Sequence, residues 1–124
     1  MSTMSTRETP ATKRYEEIGR QWNTYRRLMP EIADAYDPLP EEVYKDGLIS
    51  GKHKRLMALV AALVAGCEAC ILFQCQHALQ VGASGEEILE ACAVAVSLGG
   101  TMGAGQTARV VALLEEQGVL PQEP

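Results

Sequence analysis

The sequence predicts an all-α protein with a single domain of about six helices. Apolar residues recur at spacings of three and four along most of the chain, and no segment shows the strict alternation of a half-buried strand. The composition is 47% hydrophobic but only 5% aromatic, with much of the remainder in Ala and Gly, which suits closely packed helices. At 124 residues the chain is long enough for one modest core and too short for two.

In the N-terminal part, the sequence predicts a disordered tail and then an amphipathic helix that covers the core of the domain. Residues 1–12 are polar and form the expected tail, and residues 13–120 form the expected helical domain. Because the tail lacks the apolar segment of a signal peptide, a cytoplasmic location is expected. An amphipathic helix is predicted from about Thr12 to Leu28, and prolines then divide two short helices, Glu31 to Tyr36 and Glu41 to Lys45. The apolar stripe of the first helix consists of Tyr15, Ile18, Trp22, Tyr25 and Leu28.

The next predicted helix opens at Ser50 and Gly51 and is apolar on every face from Leu56 to Ala65. Such a helix must be buried on all sides, and a monomer of this size has little room for that, so a homo-oligomer is expected. Ten residues fall short of the ~20 that span a bilayer, so no membrane partner is expected. The net charge of -5, without a clustered basic face, predicts no nucleic-acid partner.

Three further helices complete the predicted domain. Gly66 ends the apolar helix, and Gly82 ends the one that follows. Ser84 and Glu87 have the spacing of a capping box and start the next helix, which Gly99-Gly100 terminates. The predicted bounds are Cys67 to Val81, Ile88 to Leu98 and about Met102 to Gln117.

Cys67 and Cys70 directly follow Gly66, at the predicted start of a helix. Cysteines at this spacing lie on adjacent turns and can form a disulfide when the first is at the helix N-terminus. Unpaired backbone N–H groups and the helix dipole favour a thiolate there, which makes the sulfur nucleophilic at neutral pH. A redox pair is therefore the favoured interpretation, and two buried apolar cysteines are the alternative.

A helical projection indicates which side chains lie near the two thiols. At 100° per residue Cys67, Cys70, Gln74 and His77 share one stripe, whereas Cys75 faces elsewhere. Cys67 and His77 are ~15 Å apart along the axis, so no zinc site and no other metal are expected. His77 is a candidate catalytic residue, but it lies ~10.5 Å beyond Cys70 and would need a bridging water or a second subunit. Its alternative role is that of a core or interface histidine.

Two other residues, one between the thiols and one in a later helix, have simpler interpretations. Glu68, between the two thiols, is a candidate base, and the alternative is a first-turn carboxylate that stabilises the helix. Cys92 lies in an apolar run and is expected in the core.

Several short segments between Glu41 and Leu120 match one known family in composition and order. They are Asp46 to Lys52, Gly66 to Cys70, Ala78, Gly82-Ala83, Glu86 to Ala91 and Gly99-Gly100. In these segments the sequence resembles the carboxymuconolactone decarboxylase / alkylhydroperoxidase D-like family. The resemblance implies an all-α fold and assembly into trimers or hexamers. Its thiol branch implies reduction of peroxides through a CxxC disulfide, re-reduced by an external dithiol or lipoyl-type donor, with no bound cofactor.

The chain departs from that branch at two positions. The family has a Glu twelve residues before the first cysteine and a His four residues after the second, and together they form a proton relay. Arg55 and Gln74 occupy these positions here. Arginine stays protonated and an amide does not titrate, so neither is a general base near neutral pH. Arg55 folded over the site would instead lower the pKa of a thiol or hold an anionic substrate.

These observations predict a thiol-disulfide oxidoreductase or peroxidase that reduces peroxides or disulfides through Cys67 and Cys70. A dithiol electron-donor protein is an expected partner. The alternative is a relay-deficient family member that acts as an oligomeric binding or structural protein. Lactone decarboxylation is less favoured, because that branch of the family does not use a CxxC.

Overall fold

The computed structural model describes residues 10–124, which form six α-helices and no strand. The helices are α1 Pro10–Leu28, α2 Pro30–Tyr36, α3 Pro38–Val43, α4 Gly51–Ala65, α5 Glu68–Gln80 and α6 Gly85–Glu116. The all-α prediction is confirmed. Most of the predicted disordered tail lies outside the described residues, and residues 10–12 form the first turn of α1.

The core is built by α4, α5 and α6. Its fully buried large side chains are aliphatic, apart from Cys75, and comprise Leu59, Leu63, Ile71, Ile88, Val110, Leu113 and Leu114. Burying each such side chain contributes about 1.5–3 kcal/mol, so this cluster holds α5 firmly against its two neighbours. Cys92 is also buried in the cluster, as predicted.

The 32-residue α6 is interrupted at Gly100, whose backbone is non-helical with φ 58° and ψ -138°. Residues with a side chain reach this conformation only under strain. A Cβ on Gly103 would lie 2.6 Å from the carbonyl oxygen of Ala95, although residues eight apart in a straight helix are ~12 Å apart. The two halves of α6 therefore fold back on each other, and the predicted break at Gly99-Gly100 is a sharp bend between two packed helical segments.

By length and apolar composition alone, α6 is the one helix within residues 10–124 that could cross a membrane. Length and composition do not take the interruption of the helix at Gly100 into account. The bend at Gly100 divides it into segments of roughly 15 residues, each shorter than the ~20 residues that span a bilayer. Their buried side chains, including Ile88 and Leu113, pack in the core with α4 and α5.

The N-terminal turn of α1 is fastened to the end of α6. The backbone N–H groups of Ala11 and Thr12 each donate to the Glu116 carboxylate at 3.0 Å. Further along α1, the ring of Tyr15 meets Phe73 of α5 edge to face, with centroids 5.0 Å apart. The predicted covering helix is present, but none of its residues is fully buried within the chain.

Candidate active site

Cys67 and Cys70 form a disulfide at the start of α5, with their Cα atoms 5.2 Å apart. Gly66 adopts the left-handed conformation that ends α4, and the chain then enters α5 with Cys67 as its N-cap. The Sγ atom of Cys67 accepts a hydrogen bond from the backbone N–H of Cys70 at 3.2 Å. The same N–H group and the helix dipole would stabilise a Cys67 thiolate in the reduced protein.

The two cysteines differ in their exposure to solvent. Cys70 is exposed, whereas Cys67 is half-buried. Met102 and Gln106, from the second half of α6, lie beside Gly66. Of the two cysteines, Cys70 is therefore the residue that is more accessible to a thiol or peroxide in solvent.

The other two cysteines are free and buried. Burial, together with the neighbouring Cys92, raises the pKa of Cys75 to about 12. Burial also raises the pKa of Cys92 to about 11. Both thiols stay protonated near neutral pH and are poor nucleophiles. The prediction that Cys75 faces away from the CxxC stripe is confirmed, because its side chain lies in the core.

Glu68 lies between the two thiols in sequence and is held by two arginines. One carboxylate oxygen lies 3.4 Å from Arg14 of α1, and the other lies 2.9 Å from Arg109 of α6. The carboxylate thus joins three helices at the surface beside the disulfide. These contacts favour its structural interpretation over that of a general base.

Arg55 and Gln74, which occupy the two positions where the chain differs from the family's proton relay, are hydrogen-bonded to each other. Nη1 of Arg55 donates to Oε1 of Gln74 at 3.0 Å. The guanidinium carbon also lies 3.6 Å from the centroid of the Tyr44 ring, a cation–π contact. Burial lowers the pKa of Arg55 from its usual value, and Tyr44 opposes this effect. Within residues 10–124, no carboxylate forms an ion pair with Arg55.

A cavity of about 500 Å³ opens beside this pair. Its lining includes the polar side chains of Arg55, Gln74 and His77 and the apolar side chains of Trp22, Tyr36, Leu39 and Phe73. Burial, and secondarily the charge of Arg55, lower the pKa of His77, while Gln80 acts in the opposite direction. His77 is therefore neutral near neutral pH.

The cysteine pair and the residues Gln74 and His77 lie on neighbouring turns of α5. Gln74, which lines the cavity, follows Cys70 by about one helical turn, ~6 Å along the axis of α5, and neither cysteine lines the cavity. His77 is almost another turn away, and no described side chain hydrogen-bonds to either sulfur. No group of three or more His, Cys, Asp and Glu side chains in residues 10–124 is arranged as a metal site.

Sequence reasoning missed the cavity, because its walls come from α1 to α5. Tyr36 and Leu39 belong to a segment for which the sequence predicts only two short helices around a proline turn. Trp22 belongs to the predicted apolar stripe of α1, yet 37% of its surface is exposed. The recurrence of aromatic residues through α1 and α2, in a chain with few of them, was the available signal.

The described residues form an all-helical domain with a disulfide at the start of one core helix. The chain belongs to the carboxymuconolactone decarboxylase family, which it matches over residues 30–113. The resemblance identified in the sequence is thus confirmed, together with the family's all-α fold.

Two solved structures of family members agree with this placement. A carboxymuconolactone decarboxylase family protein of Legionella pneumophila is 30% identical, with a TM-score of 0.80, and the match covers 86% of this chain and 95% of that one. A family member from Thermotoga maritima, for which an involvement in antioxidative response has been suggested, is 33% identical with a TM-score of 0.75, over 85% and 90% of the two chains. An uncharacterised protein from Cupriavidus necator is 28% identical over 82% of this chain and 90% of its own length.

Proposed function

We propose that this protein is a thiol-disulfide oxidoreductase that reduces peroxides or disulfides through the Cys67–Cys70 pair. The observation that supports this most directly is the arrangement of the disulfide at the N-terminus of α5. The sulfur of Cys67 accepts a backbone hydrogen bond there, and Cys70 is exposed. The remaining two thiols are buried and unreactive, so the chain presents one accessible redox pair.

In the oxidative half-reaction with a hydroperoxide, the exposed Cys70 attacks first. Its sulfur bonds to the distal oxygen of ROOH while the O–O bond breaks, which gives a sulfenic acid and the alcohol ROH. Cys67 then attacks the Cys70 sulfur, the S–S bond forms, and the hydroxyl group leaves as water. The N-cap position of Cys67 favours the thiolate that this second step needs.

In the reductive half-reaction, a thiol of an external dithiol donor attacks the exposed sulfur of Cys70. Cys67 leaves as a thiolate, which the Cys70 N–H and the helix dipole stabilise, and low basicity of the leaving thiol speeds this step. The second thiol of the donor then attacks the mixed disulfide and releases Cys70. The net reaction converts ROOH and the dithiol into ROH, water and the oxidised donor, and it uses no bound cofactor.

Steady-state reduction of cumene hydroperoxide with dihydrolipoamide tests this proposal. We expect turnover in the unmodified protein and at least about a hundredfold loss in Cys67→Ser and in Cys70→Ser, because each half-reaction needs both sulfurs. Cys92→Ala is the matched control, since it removes a buried thiol and should retain turnover. Equal turnover in all four proteins would refute the proposal.

The same experiment also tests the second candidate function, an oligomeric binding or structural protein. The Arg55–Gln74 hydrogen bond favours this candidate, because it fills both relay positions with groups that cannot move a proton near neutral pH. If the Cys67–Cys70 disulfide forms but supports no turnover with any dithiol, the second candidate is favoured.

We further propose that the protein assembles as a homo-oligomer. Large apolar side chains remain exposed on several helices and loops of the isolated chain, such as Leu28, Leu48 and Leu98. Burial of such side chains between copies would contribute favourable free energy. Light scattering should give three or six times the chain mass of 13.4 kDa. A mass equal to one chain would contradict this proposal.

A further inference from the structure

We propose that the cavity beside Arg55 and Gln74 binds the carboxylate of a small organic anion with an apolar body. Together with the redox proposal, this assigns a substrate class, namely hydroperoxides or disulfides that carry a carboxylate. The substrate assignment depends on the proposed redox function. The binding of the anion does not.

Arg55 is a cation that lacks an anionic partner among residues 10–124. Its guanidinium group donates one hydrogen bond to Gln74 and lies against the Tyr44 ring. Neither contact neutralises its charge, and no carboxylate in the described part of the chain lies within ion-pair distance. Partial burial of a cation is unfavourable unless an anion compensates for the lost hydration, and the lowered pKa of Arg55 has the same cause.

Arg55 and Gln74 both line the cavity, and together they present hydrogen-bond donors to it. The Oε1 atom of Gln74 accepts from Arg55, so its Nε2 group remains available as a donor. A guanidinium group has five N–H donors in a planar arrangement that matches a carboxylate. Two adjacent donor groups, one of them charged, form a site for an anion.

The other groups around the cavity leave this positive charge uncompensated. In the described part of the chain, the carboxylate that lines the cavity is Asp37, and it is paired with Arg26. His77 is neutral near neutral pH, since burial and Arg55 lower its pKa. An anion that enters the cavity therefore meets a net attraction.

The apolar walls determine what the rest of the ligand must be. Trp22, Tyr36 and Phe73 are aromatic, and Leu39 adds an aliphatic surface. A volume of about 500 Å³ lies within the range of small-molecule sites. Neither cysteine lines the cavity, but Gln74 lies only about one helical turn, ~6 Å, along α5 from Cys70. A ligand anchored by its carboxylate at Gln74 must therefore extend out of the cavity by at least that distance to meet the thiol.

Binding can be measured without redox chemistry, because Trp22 is the single tryptophan of the chain and lines the cavity. We would titrate the Cys67→Ser/Cys70→Ser variant with para-isopropylbenzoate and with the uncharged para-isopropylbenzyl alcohol, following the Trp22 fluorescence. We expect the carboxylate to bind about ten- to a hundredfold more tightly, as for a charge-assisted hydrogen-bonded pair. Equal affinity for the two probes would overturn the proposal, and this comparison needs no change at Arg55.

Variants of Arg55 then test whether this residue causes the preference for the carboxylate over the alcohol. Arg55→Gln should abolish it, and Arg55→Lys should retain part of it, because the charge remains while the planar donor arrangement is lost. Arg20→Gln is the matched control, since it removes the same charge from an exposed position outside the cavity. An unchanged preference in Arg55→Gln, with circular dichroism confirming its fold, would refute the assignment.

Reaction of the reduced unmodified protein with two disulfides separates this proposal from the redox proposal. Dithiobis(nitrobenzoate) carries two carboxylates, and dithiodipyridine carries no charge near neutral pH. We expect Arg55→Gln to lower the ratio of their reaction rates about tenfold or more, and Arg20→Gln to leave it unchanged. Reaction with both disulfides at a ratio independent of Arg55 refutes the anion site alone. A fluorescence preference without reversible Cys67–Cys70 chemistry refutes the redox function alone.

Discussion

Alkylation of the fully reduced protein with iodoacetamide should divide the four cysteines into two groups. Alkylation requires the thiolate, so its rate follows the fraction of each thiol that is ionised and accessible. Cys67 and Cys70 lie at the start of a helix, where that fraction is favoured, and Cys70 is exposed. Cys75 and Cys92 are buried in the core.

The pKa values set the size of the difference. A cysteine with the ordinary pKa of 9.0 is about one tenth thiolate at about pH 8. Because burial raises the pKa of Cys75 to about 12, its thiolate fraction is lower by roughly a thousandfold. For Cys92, with a pKa of about 11, the fraction is lower by roughly a hundredfold. Restricted access to the core slows both reactions further.

Peptide mass spectrometry at timed intervals provides the measurement. We expect Cys67 and Cys70 to be modified at rates equal to or above that of a free cysteine, and the other two at least about a hundredfold more slowly. Denatured protein, in which all four cysteines react alike, is the control. If Cys75 or Cys92 were modified as fast as Cys70 in the folded protein, the argument that burial protects these thiols would be wrong.

Four further predictions concern Glu68, the start and the bend of α6, and the buried thiols. Glu68→Gln removes two surface ion pairs and should lower the free energy of unfolding by less than about 1 kcal/mol, with turnover retained. Loss of turnover at unchanged stability would instead identify Glu68 as a base. Ser84→Ala removes the cap of α6 and should cost about 1 kcal/mol, measured by urea unfolding. Gly103→Ala places a Cβ 2.6 Å from the backbone oxygen of Ala95 and should cost about 1–3 kcal/mol in the same assay, so an unchanged midpoint would contradict the close packing of the α6 halves. The Cys92 thiol loses its proton near pH 9.0 in the unfolded chain but only near pH 11 in the folded chain, because burial raises its pKa. The free energy of unfolding should therefore fall as the pH rises above 9.0, and it should fall less steeply in Cys92→Ala.

Helix ends could be predicted from the sequence, because each is determined by residues adjacent in the chain. Gly66 reaches the left-handed conformation without strain, and the side chain of Ser84 and the carboxylate of Glu87 cap α6 reciprocally. The same local reasoning placed Cys67 at the N-terminus of α5, so the thiol pair of the site was predictable.

The geometry between helices could not be predicted in the same way. A projection of α5 places Gln74 on the stripe of Cys70, but it does not indicate which side chain of α4 lies opposite. The hydrogen bond from Arg55 to Gln74 depends on the packing angle of the two helices and on Tyr44, which lies before α4. In the sequence, Arg55 and Gln74 are two separate replacements of the relay residues, whereas in the structure their side chains form one hydrogen-bonded pair.

The bend in α6 and the surface of α1 show a second limit. Gly99-Gly100 indicates a break in the helix, but the direction of the chain after Gly100 depends on how closely Gly103 can approach Ala95. Periodicity likewise predicts the apolar stripe of α1 without stating what covers it. Within the chain that stripe is only partly covered, and Leu28 remains 73% exposed.

Titration of the reduced protein with a hydroperoxide tests the central claim most directly. Reduced protein is mixed with one equivalent of cumene hydroperoxide, free thiols are counted, and the disulfide is located by peptide mapping. The redox proposal predicts that two thiols per chain are lost for each peroxide reduced, and that both belong to the Cys67–Cys70 pair. Retention of all four thiols, or loss of thiols from Cys75 and Cys92 instead, would contradict it.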